Sequence, residues 1–106
     1  MSEELNEKEL QQEELQQQEE LQLIILKQNL QTSTSANDDL LKKLLKQAKA
    51  LMERRGIVDD LTEDYQMAVI DYAAFLFRRR GTPDMDIPPH LKLELNNILF
   101  SQKMKN

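Results

Sequence analysis

Apolar residues recur at helical spacing in the stretch "DDLLKKLLKQAKALMERRG", which spans residues 38–56. An α-helix returns to the same face every three or four residues. This pattern predicts an amphipathic helix over residues 38–55, with Asn37 or Ser35 as its N-terminal cap and Gly56 as a left-handed C-terminal cap. Most of its lysines lie opposite the apolar face, which comprises Leu41, Leu44, Leu45, Ala48, Leu51 and Met52.

The pattern changes in "TEDYQMAVIDYAAFLFRRRG", where apolar residues occupy nearly every position from Tyr65 to Phe77. Only Gln66 and Asp71 are clearly polar within that run. A helix that is apolar nearly all round is covered on several sides, so we predict a central helix over residues 62–80. Since a chain of 106 residues has little other material to cover it, we also expect a second subunit to cover part of this helix.

Two further apolar patterns flank the central run. The stretch "LQLIILKQNLQ" predicts a short helix over residues 21–31, and "TSTSAND" predicts the loop after it. Near the C-terminus, "LKLEL" alternates as a strand does, but the double proline before it and the apolar pair after it favour a helix over residues 89–103. Pro89 suits the first helical position. The fold prediction is therefore all-α, a small bundle of about four helices in one domain over residues 21–106.

Residues 1–20 form an acidic, low-complexity arm rich in Glu and Gln. They hold eight Glu and one Lys, a net charge of −7, whereas residues 21–106 hold thirteen Lys and Arg against eleven Asp and Glu, a net charge of +2. The leucines of the arm are five or six residues apart, so they form neither one helical stripe nor a heptad seam. Glu and Gln favour helix, so the arm is either a solvated helix or disordered. We expect its deletion to leave the remaining fold intact.

Residue types that serve catalysis and cofactor binding are scarce. The chain has no Cys, one His and two Gly, which argues against a disulfide framework, a thiolate metal site and a glycine-rich phosphate loop. His90, beside the prolines, is predicted to be a surface residue of a loop or first helical turn. Asp71 is predicted to be a buried carboxylate that pairs with an arginine or a hydroxyl. We therefore expect no enzymatic activity, no cofactor and no metal.

The N-terminal stretch "MSEELNEKEL" is acidic and lacks the apolar segment of a signal peptide. No apolar run approaches the length of a membrane span. These observations predict a protein that is made in a cytoplasm and has no membrane partner.

Three consecutive arginines end the central helix of an otherwise acidic protein. Three interpretations are open: cations complement the dipole at a helix C-terminus, arginines contact nucleic acid, and arginines pair with carboxylates across protein interfaces. Consecutive helical side chains diverge by about 100°, so at least one arginine must point outward. The candidate interface comprises these arginines with nearby aromatic and acidic residues: Arg78, Arg79, Arg80, Asp84, Asp86, Tyr72, Phe75 and Phe77.

The stretches "DDLLKKLLKQAKALMERRG", "YQMAVIDYAAFLFRRRG" and "DIPPHLKLELNNIL" follow one another within residues 37–100. They describe an amphipathic helix with an acidic start, an apolar helix that ends in arginine, and a helix that is opened by proline. In this order of features the chain resembles the head–tail connector proteins of tailed double-stranded DNA bacteriophages, also called adaptor or head-completion proteins. The Glu/Gln-rich arm and the short loops depart from the pattern of that family.

The resemblance implies a structural virion protein without enzymatic activity. About a dozen copies would form a homo-oligomeric ring that joins the portal protein to the stopper or tail-completion protein. Genomic DNA would pass through the lumen without sequence-specific binding, and the candidate interface would contact a neighbouring subunit or the portal. The protein would be made in the host bacterial cytoplasm and located at the head–tail junction of the virion.

A small helical regulatory module that binds DNA or a partner protein is the alternative. The acidic arm and the near-neutral body weigh against DNA binding, because that binding depends on clustered positive charge. A third possibility is a small helical adaptor that binds one partner through its N-terminal arm.

Overall fold

The structure, a computed structural model, describes residues 2–105, with the side chains of residues 6–105. Within this range the chain forms helices and no strand, which confirms the all-α prediction. For the last three helices, the predicted boundaries are correct to within one residue at each end. The four helices are α1 (Ser2–Asn29), α2 (Asp38–Arg54), α3 (Glu63–Arg79) and α4 (Pro89–Met104). None of the helices within residues 2–105 combines the length and the apolar character that crossing a membrane requires.

The central position of α3 follows from its neighbours, because α1, α2 and α4 all pack against it. Ala68, Ala73 and Ala74 are buried, and such small side chains let neighbouring helices approach closely. The other helices of the same chain thus cover α3, so its apolar character is no evidence for a second subunit and that expectation is not supported. The buried residues of α3 are Tyr65, Ala68, Val69, Ile70, Tyr72, Ala73, Ala74, Phe75 and Leu76.

The acidic arm and the first packed segment form one continuous helix, α1. Of the two alternatives for the arm, the structure shows the helix, and α1 is much longer than the predicted span of residues 21–31. Residues 6–17 are exposed, whereas Gln22 and Leu26 are buried. The arm therefore projects from the bundle as a solvated helix. The side-chain amide of Gln22 donates a hydrogen bond to Gln66 Oε1, which joins α1 to α3.

The corner between α1 and α2 is closed by a residue in the left-handed region. Gln31 has a φ of +57°, and the next N–H, that of Thr32, donates to the Lys27 carbonyl at 3.0 Å. Asn37 occupies the N-cap position of α2 as predicted, although its side chain makes no capping hydrogen bond. Instead, Lys27 Nζ lies 2.9 Å from Asp38 Oδ1, and this ion pair joins the two helices.

The corner between α2 and α3 has a glycine cap. Gly56 has a φ of +94°, and its N–H donates to the Glu53 carbonyl at 2.9 Å. The N–H of Ile57 donates to the Met52 carbonyl at 3.0 Å, and both of these apolar side chains are buried. These two bonds define a Schellman motif. The predicted left-handed cap at Gly56 is therefore confirmed.

Side-chain hydrogen bonds hold the loop before α3. Asp59 Oδ1 accepts from the Leu61 N–H at 3.0 Å, and Asp60 Oδ1 accepts from the Thr62 N–H at 3.1 Å. The Thr62 hydroxyl caps α3 by accepting from the Tyr65 N–H at 3.2 Å. Between these anchors, Leu61 has a φ of +62° and is 76% exposed. The left-handed region is unfavourable for a leucine, so the loop holds Leu61 in a strained conformation.

The corner between α3 and α4 is more open. Its glycine, Gly81, is not in the left-handed region, and the N–H of Thr82 donates to the Arg79 carbonyl at 2.7 Å. Pro88 is the N-cap of α4 and Pro89 occupies its first position, as predicted. Most of the residues between the two helices are exposed.

Candidate interface at the end of the central helix

Arg78 joins the end of α3 to the end of α1. Its Nη2 donates to Asn29 Oδ1 at 3.1 Å, and both residues are exposed. Arg78 and Arg79 lie in the last turn of α3, where positive charge complements the helix dipole. The interpretation of these arginines as helix-end residues therefore has direct structural support.

Arg79 and Arg80 each lie over an aromatic ring. The guanidinium carbon of Arg79 is 5.8 Å from the centroid of the Phe75 ring, and that of Arg80 is 3.7 Å from the centroid of the Phe77 ring. Such cation–π contacts hold the guanidinium against the ring face. A stacked guanidinium keeps its N–H donors at its edges, where they are free to bind a carboxylate bidentately. Arg80 is exposed, so its donors can reach a partner.

Two of the predicted interface aromatics lie in the core instead. Tyr72 and Phe75 are 5% and 4% exposed, and their rings meet edge to face with centroids 6.3 Å apart. Their hydrophobic surface is already covered by other helices, so the prediction that they contact another subunit is wrong. Phe77 is half-buried and packs against the edge of the core.

The two acidic residues of the candidate interface lie in the exposed loop between α3 and α4. Asp84 lies in a turn that is closed by a hydrogen bond from the Met85 N–H to the Thr82 carbonyl, at 3.0 Å. Asp84 and Asp86 are both exposed. Across residues 6–105 the only ion pair is that between Lys27 and Asp38. The arginines therefore do not pair with this loop, which leaves both sets of charges available to a partner.

Asp71 faces another carboxyl group, not the predicted arginine or hydroxyl. This group is Glu94 of α4, whose pKa is raised in part by hydrogen bonding with Asp71. Burial, this hydrogen bond and the charges of Asp71 and Asp64 together raise the pKa of Glu94 from 4.5 to about 7. A hydrogen bond between two carboxyl groups needs one proton, so the contact between α3 and α4 is strongest when Glu94 is protonated.

Glu94 lines a groove of about 310 Å³ between the start of α3 and α4, together with Asp60, Asp64 and Lys105. A hydrogen bond from the Thr62 hydroxyl lowers the pKa of Asp60, so this carboxylate is ionised under ordinary conditions. Burial, with the nearby charges of Asp59, Glu53 and Asp60, raises the pKa of Tyr65 to about 12. The groove is therefore acidic, and Tyr65 stays neutral beside it.

His90 is exposed in the first turn of α4, so its predicted surface position is confirmed. Among the residues that the structure describes, no group of three or more His, Cys, Asp or Glu side chains could hold a metal ion. The exposed arginines at the end of α3 can donate hydrogen bonds, and the exposed aspartates of the following loop can accept them. Such groups suit charged contacts with a partner protein.

The sequence alone does not reveal the approach of Asp71 to Glu94 or the strained loop before α3. Asp71 stood out as a polar residue in an apolar run, but its partner Glu94 depends on the register between α3 and α4. The paired aspartates at residues 59–60 signalled only a helix start. Their side chains accept from the Leu61 and Thr62 N–H groups, and Leu61, which follows the pair, lies in the left-handed region.

Comparison with protein-family models, curated proteins and solved structures found no match.

Proposed function

We propose that this protein is a structural subunit of the neck of a tailed bacteriophage. In this role it forms a ring of about a dozen copies between the portal protein and the stopper or tail-completion protein. The ring continues the DNA channel, and the genome passes through its lumen without sequence-specific binding. The resemblance of residues 37–100 to head–tail connector proteins supplies this assignment.

The observation that carries the proposal is the charged joint where α3 ends. Arg80 is stacked on Phe77 and exposed, and Asp84 and Asp86 lie a few residues further on without an arginine partner in the chain. Such a joint offers fixed donors and free acceptors to a neighbouring copy or to the portal. A pair formed there on assembly loses its water, which makes it worth more than an exposed pair within one chain.

A helical regulatory module that binds DNA is the second candidate. It is favoured by the lysines of α2, of which Lys42, Lys43 and Lys46 are exposed. Clustered lysines attract phosphate backbones, although the charge of residues 1–20 opposes this. The connector function depends on the arginines of α3, whereas DNA binding depends on the lysines of α2. One pair of variants therefore distinguishes the two proposed functions.

The test replaces three cations on each helix and measures two kinds of binding. One variant is Arg78→Gln, Arg79→Gln, Arg80→Gln; its charge-matched control is Lys42→Gln, Lys43→Gln, Lys46→Gln. Electron microscopy measures ring formation on the portal protein encoded in the same genome, and titration measures affinity for duplex DNA. We expect the arginine variant to weaken ring assembly by about thirtyfold or more, because truncating a desolvated charge pair commonly costs about 2–5 kcal/mol.

The control variant should assemble as the unaltered protein does, and both variants should melt within a few degrees of it. Unchanged assembly of the arginine variant, with DNA affinity lost in the lysine variant, would establish the regulatory alternative. A portal that carries scattered single copies without a closed ring would also contradict the connector function.

A further inference from the structure

The last helix has a second apolar stripe on the side opposite the core. Leu93, Phe100 and Met104 are each more than 60% exposed. At 100° per residue they lie within about 40° of one another around α4. The residues of α4 that face the core, Leu91 and Leu95 among them, are buried on the opposite side. One surface of α4 thus presents large apolar side chains to solvent over about three turns.

A groove on another part of the chain also exposes apolar side chains. It has a volume of about 550 Å³ and lies between the arm and the loop before α3. Leu15, Leu21 and Leu61 line it, and all three are more than half exposed. Leu61 is held in the strained left-handed region at the edge of this groove. Strain of this kind is concentrated where a residue serves a binding surface.

One flank of the α4 stripe carries charge opposite to that of the groove, whereas the other flank borders the acidic groove that contains Glu94. Glu14 lines the groove, and the arm that forms one wall belongs to the segment with a net charge of −7. Lys92 and Lys103 are exposed on α4, and helical geometry places both within about 100° of the apolar stripe, on the same flank. An apolar stripe beside lysines thus complements an apolar groove beside glutamates.

The two surfaces cannot meet within one chain. α1 and α4 both pack on α3, but they do not form a packed pair with each other among the described residues. The stripe points away from α3, and the arm is held by the continuous helix α1, whose packed end is fixed on α3. Neither surface can turn toward the other without unpacking the core.

We propose that the apolar stripe of α4 in one copy docks into the groove between the arm and Leu61 of a second copy. The two surfaces differ, so the contact is head-to-tail, and each copy keeps one free stripe and one free groove. Head-to-tail contacts build closed rings or open filaments. The inference rests on the proposed function for the choice of a ring, and it identifies the contact between neighbouring copies.

Engineered cysteines test this contact, because the chain has none of its own. The variant Gln17→Cys places a thiol on a residue that lines the groove, and Asn97→Cys places one on α4 beside the stripe, so both apolar surfaces remain intact. The two full-length variants are mixed at millimolar concentration and oxidised, and mass spectrometry of tryptic peptides identifies the disulfides. The control pairs Asn97→Cys with Ser33→Cys, an exposed residue of the loop after α1.

We expect the link between residues 17 and 97 to be the main product, about tenfold more abundant than the control link, because docking raises the local thiol concentration. Replacing Lys92 and Lys103 by Glu should lower its yield to the control level. A main product linking 97 to 97 would instead show an α4–α4 pair, and one linking 17 to 17 an arm–arm pair. Either result, or a yield equal to the control, overturns the proposal.

The variant Leu61→Gly separates docking from folding. Glycine adopts the left-handed region freely, so the melting temperature of the free chain should rise while the yield of the 17–97 link falls. An unchanged yield overturns the role of Leu61. Rings on the portal without the 17–97 link would overturn this contact and leave the connector function standing. The 17–97 link without rings on the portal would support this contact and contradict the connector function.

Discussion

The same tripeptide, Arg-Arg-Gly, ends both α2 and α3, yet the two corners differ. At residues 54–56 the glycine has a φ of +94° and closes a Schellman motif. At residues 79–81 the glycine is not left-handed, and the next N–H turns back to the Arg79 carbonyl. The residue that follows explains the difference: Ile57 is buried, whereas Thr82 is exposed. A glycine after a helix therefore becomes a left-handed cap when an apolar residue follows it into the core.

The largest effect should come from removing the apolar residue that directs the first corner. Ile57 is 1% exposed, so Ile57→Ala should lower the free energy of unfolding by about 2–5 kcal/mol through lost burial and the cavity left behind. Urea denaturation followed by circular dichroism measures this change. The matched substitution at the second corner, Thr82→Ala, should stay within about 0.5 kcal/mol. Equal losses at the two sites would show that the apolar residue does not distinguish these corners.

A side chain on the first glycine should have the next largest effect. Gly56→Ala forces an alanine into the left-handed region and should cost about 1–2 kcal/mol. The added Cβ would lie 3.5 Å from Leu99 Cδ1, an ordinary contact, so the loss comes from the backbone. Thermal melting of the variant measures it. A melting temperature equal to that of the unaltered chain would contradict the left-handed cap.

The pH dependence should distinguish the helix pair α3–α4 from α2–α3, because Asp71 in the middle of α3 faces Glu94 of α4. The pKa of Glu94 is raised from 4.5 to about 7 in the folded protein, so the stability that it contributes is complete below pH 4.5 and is lost as the pH rises to about 7. Glu94 is partly exposed, and screening limits this effect to about 1 kcal/mol. Glu94→Gln keeps a donor for Asp71 and should flatten the dependence between pH 5 and 8.

Unfolding curves at a series of pH values measure this effect, and Glu63→Gln, an exposed residue of α3, serves as the control. If the variant at Glu94 keeps the pH dependence of the unaltered protein, the carboxyl pair does not couple α3 to α4.

The smallest effect, and one of opposite sign, is expected at the second glycine. No atom lies within 4 Å of a Cβ built on Gly81, and its φ suits an alanine. Gly81→Ala should therefore stabilise the protein by about 0.4–1 kcal/mol, because alanine has less conformational freedom in the unfolded chain. Differential scanning calorimetry resolves such a shift. A destabilised variant would show that Gly81 needs the freedom of glycine after all.

The sequence was sufficient for features that neighbouring residues determine. The pattern of apolar residues predicts α2, α3 and α4, and Gly56, placed directly after the last helical turn of α2, predicts the first cap. The Glu/Gln-rich arm could not be assigned, because the same composition suits a helix and a disordered chain. The arm is helical because it continues the part of α1 that packs on the core through Gln22 and Leu26.

Features that depend on packing between helices were beyond the sequence. The other helices of the same chain can cover α3 because Ala68, Ala73 and Ala74 allow them to approach closely. The apolar residues on every side of α3 therefore suggest a second subunit, although α3 does not need one to be buried. Tyr72 and Phe75 are assigned to an interface from their proximity to the arginines, and only the packing of the helices shows that they are buried. The partner of Asp71 could be identified only after α4 had been placed against α3.

The continuity of α1 has a consequence for how the arm responds to temperature and substitution. Starting a helix is unfavourable, with a nucleation constant of about 10⁻³, whereas extending one costs little per residue. The packed half of α1 supplies the nucleus, and the arm is its extension, so helicity should decline gradually toward the N-terminus. The substitution Gln16→Pro would stop the extension of the helix at that residue. The residues before it would then no longer be held in a helix by the packed half of α1. The groove beside Leu61 would lose one wall while the bundle remained folded, so the arm gives the chain a surface that can melt independently of its core.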